Sequence, residues 1–64
     1  MVLDRSAGPL WEQVRSLLLT RIISGAIAPD ERIVELQVAR EFGVSQAPVR
    51  EALKSLEALG LVDI

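Results

Sequence analysis

The chain has 64 residues, nine carboxylates, seven lysine or arginine side chains and a formal net charge of −2. A chain this short holds one small domain at most, and at this size only about 60% of the unfolded surface is buried on folding. Half of the residues are apolar, which excludes disorder as the default, and the absence of cysteine and histidine removes disulfides, thiolate metal sites and the commonest general base.

Residues 1–8 (MVLDRSAG) lack the basic start and apolar run of a signal peptide and are expected to form a flexible arm. Pro9 suits a first helical turn, where its missing N–H would have no partner. From there Leu10, Val14, Leu17, Leu18 and Ile22 recur at helical spacing, with Trp11 at the edge of their arc as a partly buried packing residue. Gly25 is a left-handed stop, so the first helix is predicted over Leu10–Ser24. Leu19 and Ile23 fall off the apolar arc, beside Glu12 and Ser16. Arg21 falls inside it, where its stem covers the core and its charge points outward or meets a carboxylate.

Ala26–Ile33 contains the turn signal Pro29-Asp30 and reads as a connector with a short extended piece at Arg32-Ile33. Glu35–Phe42 is a second, shorter helix with Leu36, Val38, Ala39 and Phe42 as its apolar members, stopped by Gly43. Val44, apolar inside the tight link Gly43-Val44-Ser45, is expected to plug the space between two helices. Ser45 is the N-cap candidate of a third helix, Gln46–Leu59, and Pro48 stands at its third position, where no intrahelical N–H bond is lost. After Gly60 the run Leu61-Val62-Asp63-Ile64 begins to alternate as a strand does. So short a strand needs a partner, either Arg32-Ile33 or a strand beyond residue 64, so the sequence reads as cut from a longer protein. No segment approaches the roughly 20 apolar residues of a membrane span, and the chain reads as cytoplasmic.

The third helix carries the chemistry. Val49, Ala52, Leu53, Leu56 and Leu59 fill one arc of its wheel and are expected in the core. Gln46, Ala47, Arg50 and Lys54 fill a neighbouring outer arc, with Glu57 beside Lys54 at i, i+3. Two short helices joined by a glycine-containing turn, the second polar on its N-terminal outer side, form the helix-turn-helix pattern, in which the second helix enters the DNA major groove. Arg pairs with guanine O6 and N7, Gln with adenine N6 and N7, and a small Ala admits the backbone and touches a thymine methyl. Ser45 and the first amides sit where a phosphate binds. Arg40 and Gln37 on the second helix are candidates for backbone contact. The acidic balance weighs against DNA, since phosphate contact dominates non-specific affinity, but one local cationic edge answers part of that objection.

The competing reading is a small helical protein–protein interaction or dimerisation module, favoured by the apolar strip of Leu19 and Ile23. Salt separates the two, because DNA binding falls steeply with ionic strength. No catalytic residue, metal ligand set or cofactor-binding loop is expected, since the carboxylates are scattered and no phosphate-cradling glycine loop is present.

The order and wording of these elements resemble the GntR family of bacterial transcription regulators. The matching stretches are LWEQVRSLLLTRIISGAIAPDERI and ELQVAREFGVSQAPVREALKSLEALGLV, and the run GVS..PVREAL..LE..GLV at 43–62 is the most specific. Glu35, Val38 and Ala39, with the Ala-Pro before Val49, look most like the branch whose effector domain is all-helical. The resemblance implies a mainly α fold, a three-helix winged helix-turn-helix over residues 9–64 with a truncated wing. It implies binding to a palindromic double-stranded DNA operator as a homodimer. The dimerising domain that takes a small-molecule effector would lie C-terminal, outside this chain. By the family pattern Ser45 touches phosphate, and Gln46, Ala47 and Arg50 read or clamp the DNA. Three departures stand out: Gln46 where the family usually has Arg, Leu36 where some members carry a DNA-contacting Arg, and no wing hairpin after Ile64.

Overall fold

The computed structural model describes residues 9–28 and 30–62. The expected arm at 1–8 and the last two residues of the expected strand lie outside them. Three helices follow in order: α1 (Leu10–Ser24), α2 (Glu35–Phe42) and α3 (Gln46–Ala58).

Apolar periodicity sets which faces meet. Val14 and Leu18 of α1, Val38, Ala39 and Phe42 of α2, and Val49, Ala52, Leu53 and Leu56 of α3 form one buried cluster. Each such large side chain contributes roughly 1.5–3 kcal/mol by leaving water, which outweighs the modest helix propensities of so many β-branched residues. Helix α3 packs against both other helices and so forms the spine of the domain. No buried side-chain nitrogen or oxygen lacks a partner among the described residues, so the core is apolar without a polar penalty.

Two side chains depart from their wheel positions. Leu19, expected outside, is partly buried and packs against the edge of the core, as do Ile27 of the loop and Val44 of the turn. That leaves Ile23 as the exposed member of the expected strip, at 77%. Leu59, expected in the core as the last residue of α3, is 66% exposed. The helix ends one residue earlier, at Ala58, and Leu59 is its C-cap. A wheel extrapolated through a terminus misplaces the residue at which the backbone turns away. Leu36, an apolar member of α2, is also exposed, at 42%.

The ends of the helices explain the turn. Gly43 adopts a left-handed conformation, with φ 67 and ψ 36. Its N–H donates to Arg40 O (3.3 Å) and the Val44 N–H reaches back to Ala39 O (3.0 Å). This is a Schellman ending, with Val44 packed on the core as the expected plug. Helix α3 closes the same way: Gly60 has φ 76, its N–H donates to Glu57 O, and the Leu61 N–H donates to Leu56 O (2.9 and 3.0 Å). Helix α1 starts at Leu10 as predicted, with Pro9 as its N-cap.

The connector turns at Asp30, with the Glu31 N–H donating to Ala28 O (3.0 Å). Val34 is extended, with φ −98 and ψ 114. No strand forms among the described residues, and Leu61 and Val62 continue as irregular chain. Leu61 and Val62 thus meet no pairing strand among the described residues, in keeping with the rule that an isolated short strand does not persist. Among the described residues no helix is long and apolar enough to cross a membrane.

Candidate nucleic-acid interface

The tight link brings α3 against α2, and the N-terminal half of α3 buries Val49 and Ala52 while leaving its outer side accessible. Gln46, Arg50 and Lys54 are spaced four residues apart and so form one slowly drifting stripe. At 1.5 Å per residue it is about 12 Å long, comparable to the roughly 12 Å width of the major groove. Gln46 is half-buried, Ala47 is exposed, and the side chains of Arg50 and Lys54 are 54% and 65% exposed. All four residues of the expected stripe thus lie on one accessible side of the domain.

Ser45 occupies the N-cap position, in extended conformation, but its hydroxyl makes no capping hydrogen bond. A serine N-cap bonds the N–H of the second or third helical residue; Pro48, the third, has none, which leaves the Ala47 N–H as the one donor such a cap could use. The hydroxyl is left available to an outside acceptor, and the first amides of α3 have no carbonyl of their own helix to bond.

Arg50 is the residue whose surroundings the sequence did not show. Its Nη2 donates to Glu35 Oε1 at 2.8 Å and its Nε donates to Glu35 Oε2 at 3.3 Å. Glu35, the first residue of α2, therefore grips Arg50 in a two-point pair across 15 residues of chain. Its hydrogen bond, and then its charge, raise the Arg50 pKa above the ordinary guanidinium value. Glu35, Arg50, Lys54, Glu57, Ile33 and Leu53 line a shallow groove of about 310 Å³ beside the stripe.

Lys54 pairs with Glu51 at 3.9 Å, one turn back, and not with Glu57, the partner expected from spacing. Both offsets are three residues, so spacing alone left the two carboxylates equivalent. Each cation of the stripe thus has a carboxylate neighbour, and the expected cationic edge is partly neutralised. Arg40 and Gln37 are exposed on α2, and Arg40 pairs with no carboxylate among the described residues.

Arg21 stands apart from this face. Its guanidinium lies over the Phe42 ring at 4.8 Å and its Nη2 meets Glu41 Oε1 at 2.8 Å. The hydrogen bond from Arg21 is the largest influence and lowers the Glu41 pKa; desolvation opposes it, and the Arg21 charge adds a smaller lowering. Arg15 lies over Trp11 at 4.9 Å and its Nη1 donates to Ser55 Oγ at 3.1 Å. These contacts tie α1 to α2 and α3, and explain why two cations stay on the packing side. Among the described residues no group of three or more potential ligands gathers for a metal ion.

Residues 10–64 match the family model for bacterial regulatory proteins of the gntR family. The chain belongs to the GntR family. It is 44% identical over 54 residues to the uncharacterized HTH-type transcriptional regulator YdhC of Bacillus subtilis, a match over 84% of this chain and 24% of that protein. It is 39% identical over 51 residues to a probable D-xylose utilization operon transcriptional repressor of Paenarthrobacter nicotinovorans, covering 80% of this chain and 23% of the relative. It is 42% identical over 53 residues to the arabinose metabolism transcriptional repressor of Geobacillus stearothermophilus, covering 81% and 15%. The chain thus spans a quarter or less of the length of these relatives. No solved structure matches it significantly.

Membership makes the chain a DNA-binding regulator domain of the GntR type, and its three helices form the helix-turn-helix that such a domain uses.

Proposed function

We propose that residues 9–64 bind a palindromic operator through α3, which enters the major groove and reads base edges with Gln46, Ala47 and Arg50, and that Ser45 and the helix N-terminus hold a phosphate. The observation that carries this reading is the exposed stripe Gln46–Arg50–Lys54 on the second helix of a glycine-turned helix pair. In a GntR-type domain such a helix is the element shaped to fit the groove. The exposed Ser45 hydroxyl supports the phosphate role, because its O–H donates to a phosphate oxygen beside the unbonded first amides of α3. Lys54, near the far end of the stripe, and Arg40 and Gln37 on α2 contact the phosphate backbone and position the domain without reading sequence.

The same reading makes the chain one part of a longer cytoplasmic regulator that acts by binding rather than catalysis. A further domain of that regulator supplies dimerisation and takes a small-molecule effector, in keeping with a chain that spans a quarter or less of the length of its relatives. Two-fold symmetry of the operator follows from that dimer, with half-sites about one helical turn apart. Of the apolar strip that favours the interaction-module alternative, Leu19 is partly buried against the core and Ile23 is exposed.

The test is selection from random duplex DNA, with the chain joined to a neutral dimeriser and the Arg50→Ala variant alongside. The reading expects enrichment of a two-fold symmetric site in the wild type and its loss in the variant. No enrichment in the wild type, with the helices intact by circular dichroism, would overturn it.

A further inference from the structure

The pairing of Arg50 is specific in its geometry. A guanidinium has two useful edges: the side edge made by Nε–H and Nη2–H, and the end fork made by the two terminal nitrogens. Glu35 occupies the side edge through both of its oxygens, at 3.3 and 2.8 Å. The end fork, one N–H of Nη1 and the second N–H of Nη2, meets no partner among the described residues and lies on a side chain that is 54% exposed. Glu35 itself is the less exposed member, at 29%, and sits at the start of α2, where the helix N-terminus favours a negative charge. The carboxylate is thus the fixed part of the pair, and the long arginine is the part being held.

Resting on the major-groove reading above, we propose that Glu35 is a positioning residue for DNA recognition: it clamps the side edge of Arg50 so that the arginine offers its end fork to a guanine. Two effects follow. A pre-oriented fork loses less side-chain freedom when it meets guanine O6 and N7, so the correct base gains. A phosphate, by contrast, meets an arginine whose charge is already balanced by a carboxylate, so contact that reads no base gains little. Glu35 acts on the ratio of specific to non-specific binding more than on affinity itself. This also gives a use to the partial neutralisation of the stripe.

The test compares wild type, Glu35→Gln, Arg50→Lys and the double variant, on the selected operator and on a scrambled duplex, across a range of salt. Gln keeps the shape and one acceptor but removes the charge. Lys keeps the charge of Arg50 but has no fork for Glu35 to hold. The proposal expects Glu35→Gln to lower the specific-to-non-specific ratio about tenfold. It also expects the salt slope of scrambled-duplex binding to steepen by about one unit, as Arg50 becomes free to reach phosphate. Arg50→Lys should lower the ratio as well, and Glu35→Gln should add nothing further in that background. An unchanged ratio in Glu35→Gln, with or without a shift in melting temperature, would overturn the proposal, since a merely structural role moves stability alone. So would an equal loss of ratio in the Arg50→Lys background. If wild type itself shows no preference for any duplex, the major-groove reading falls and the proposal falls with it.

Discussion

Replacing Gly43 by alanine isolates the turn on which the helix-turn-helix geometry depends. Gly43 holds φ 67 and ψ 36, and a Cβ added there meets nothing within 4 Å. The cost is therefore backbone strain with no steric part. An L-residue in the left-handed region costs about 1–2 kcal/mol. The smaller unfolded-state entropy of alanine returns about 0.4–1 kcal/mol. The difference, about 1 kcal/mol of destabilisation, corresponds to a fall in melting temperature of about 4–8 °C for a domain of this size. Asparagine tolerates the left-handed region, so Gly43→Asn should cost less than half as much. Thermal denaturation followed by far-ultraviolet circular dichroism measures both, and DNA affinity taken well below the transition should be little changed. An unchanged melting temperature in Gly43→Ala, or a larger loss in Gly43→Asn than in Gly43→Ala, would refute this account of the turn.

Ser45→Ala should leave stability nearly unchanged, against the roughly 1 kcal/mol of an ordinary serine cap, because no capping bond is lost; a weaker operator complex with an unshifted melting curve is the expected pair of results. Leu56→Ala opens a cavity at a side chain with no exposed surface and should cost about 2–5 kcal/mol, enough to leave so small a domain largely unfolded at 37 °C, as chemical denaturation would show. Lys54→Ala should weaken binding to all duplexes alike and reduce the salt slope by about one unit, a result read from titrations on operator and scrambled DNA. The Arg21 contact lowers the Glu41 pKa in the folded state, so its stabilisation is present above the ordinary carboxylate value and lost as pH falls through the lowered one. Melting curves of wild type and Glu41→Gln should therefore differ at neutral pH and converge in acid.

Much of this architecture is legible in the sequence because it rests on local signals. Gly25, Gly43 and Gly60 mark the three helix ends through the left-handed conformation they permit, and the apolar periods of α1, α2 and α3 point at the buried cluster. What escapes is what depends on two distant elements meeting. Glu35 reads as a favourable acid at a helix start, and nothing in its spacing from Arg50 shows that the pair touches. An acid in the first turn of the second helix, facing the arginine of the third, is the only local hint. Leu59 was misplaced because periodicity describes the interior of a helix, not the residue where the chain turns. Pro48 removes one of the two donors that a cap at Ser45 could use, which is visible in the sequence only when serine and proline are read together.

The most direct measurement replaces each guanine of the selected half-site in turn by 7-deazaguanine, which lacks the major-groove N7 acceptor. Affinity is then measured for wild type and Arg50→Ala. A loss of about tenfold at one guanine per half-site in the wild type, absent in the variant, is the outcome the account predicts, since that acceptor is one half of the arginine fork's contact. Wild-type affinity indifferent to every such replacement would contradict the claim that α3 reads the major groove through Arg50.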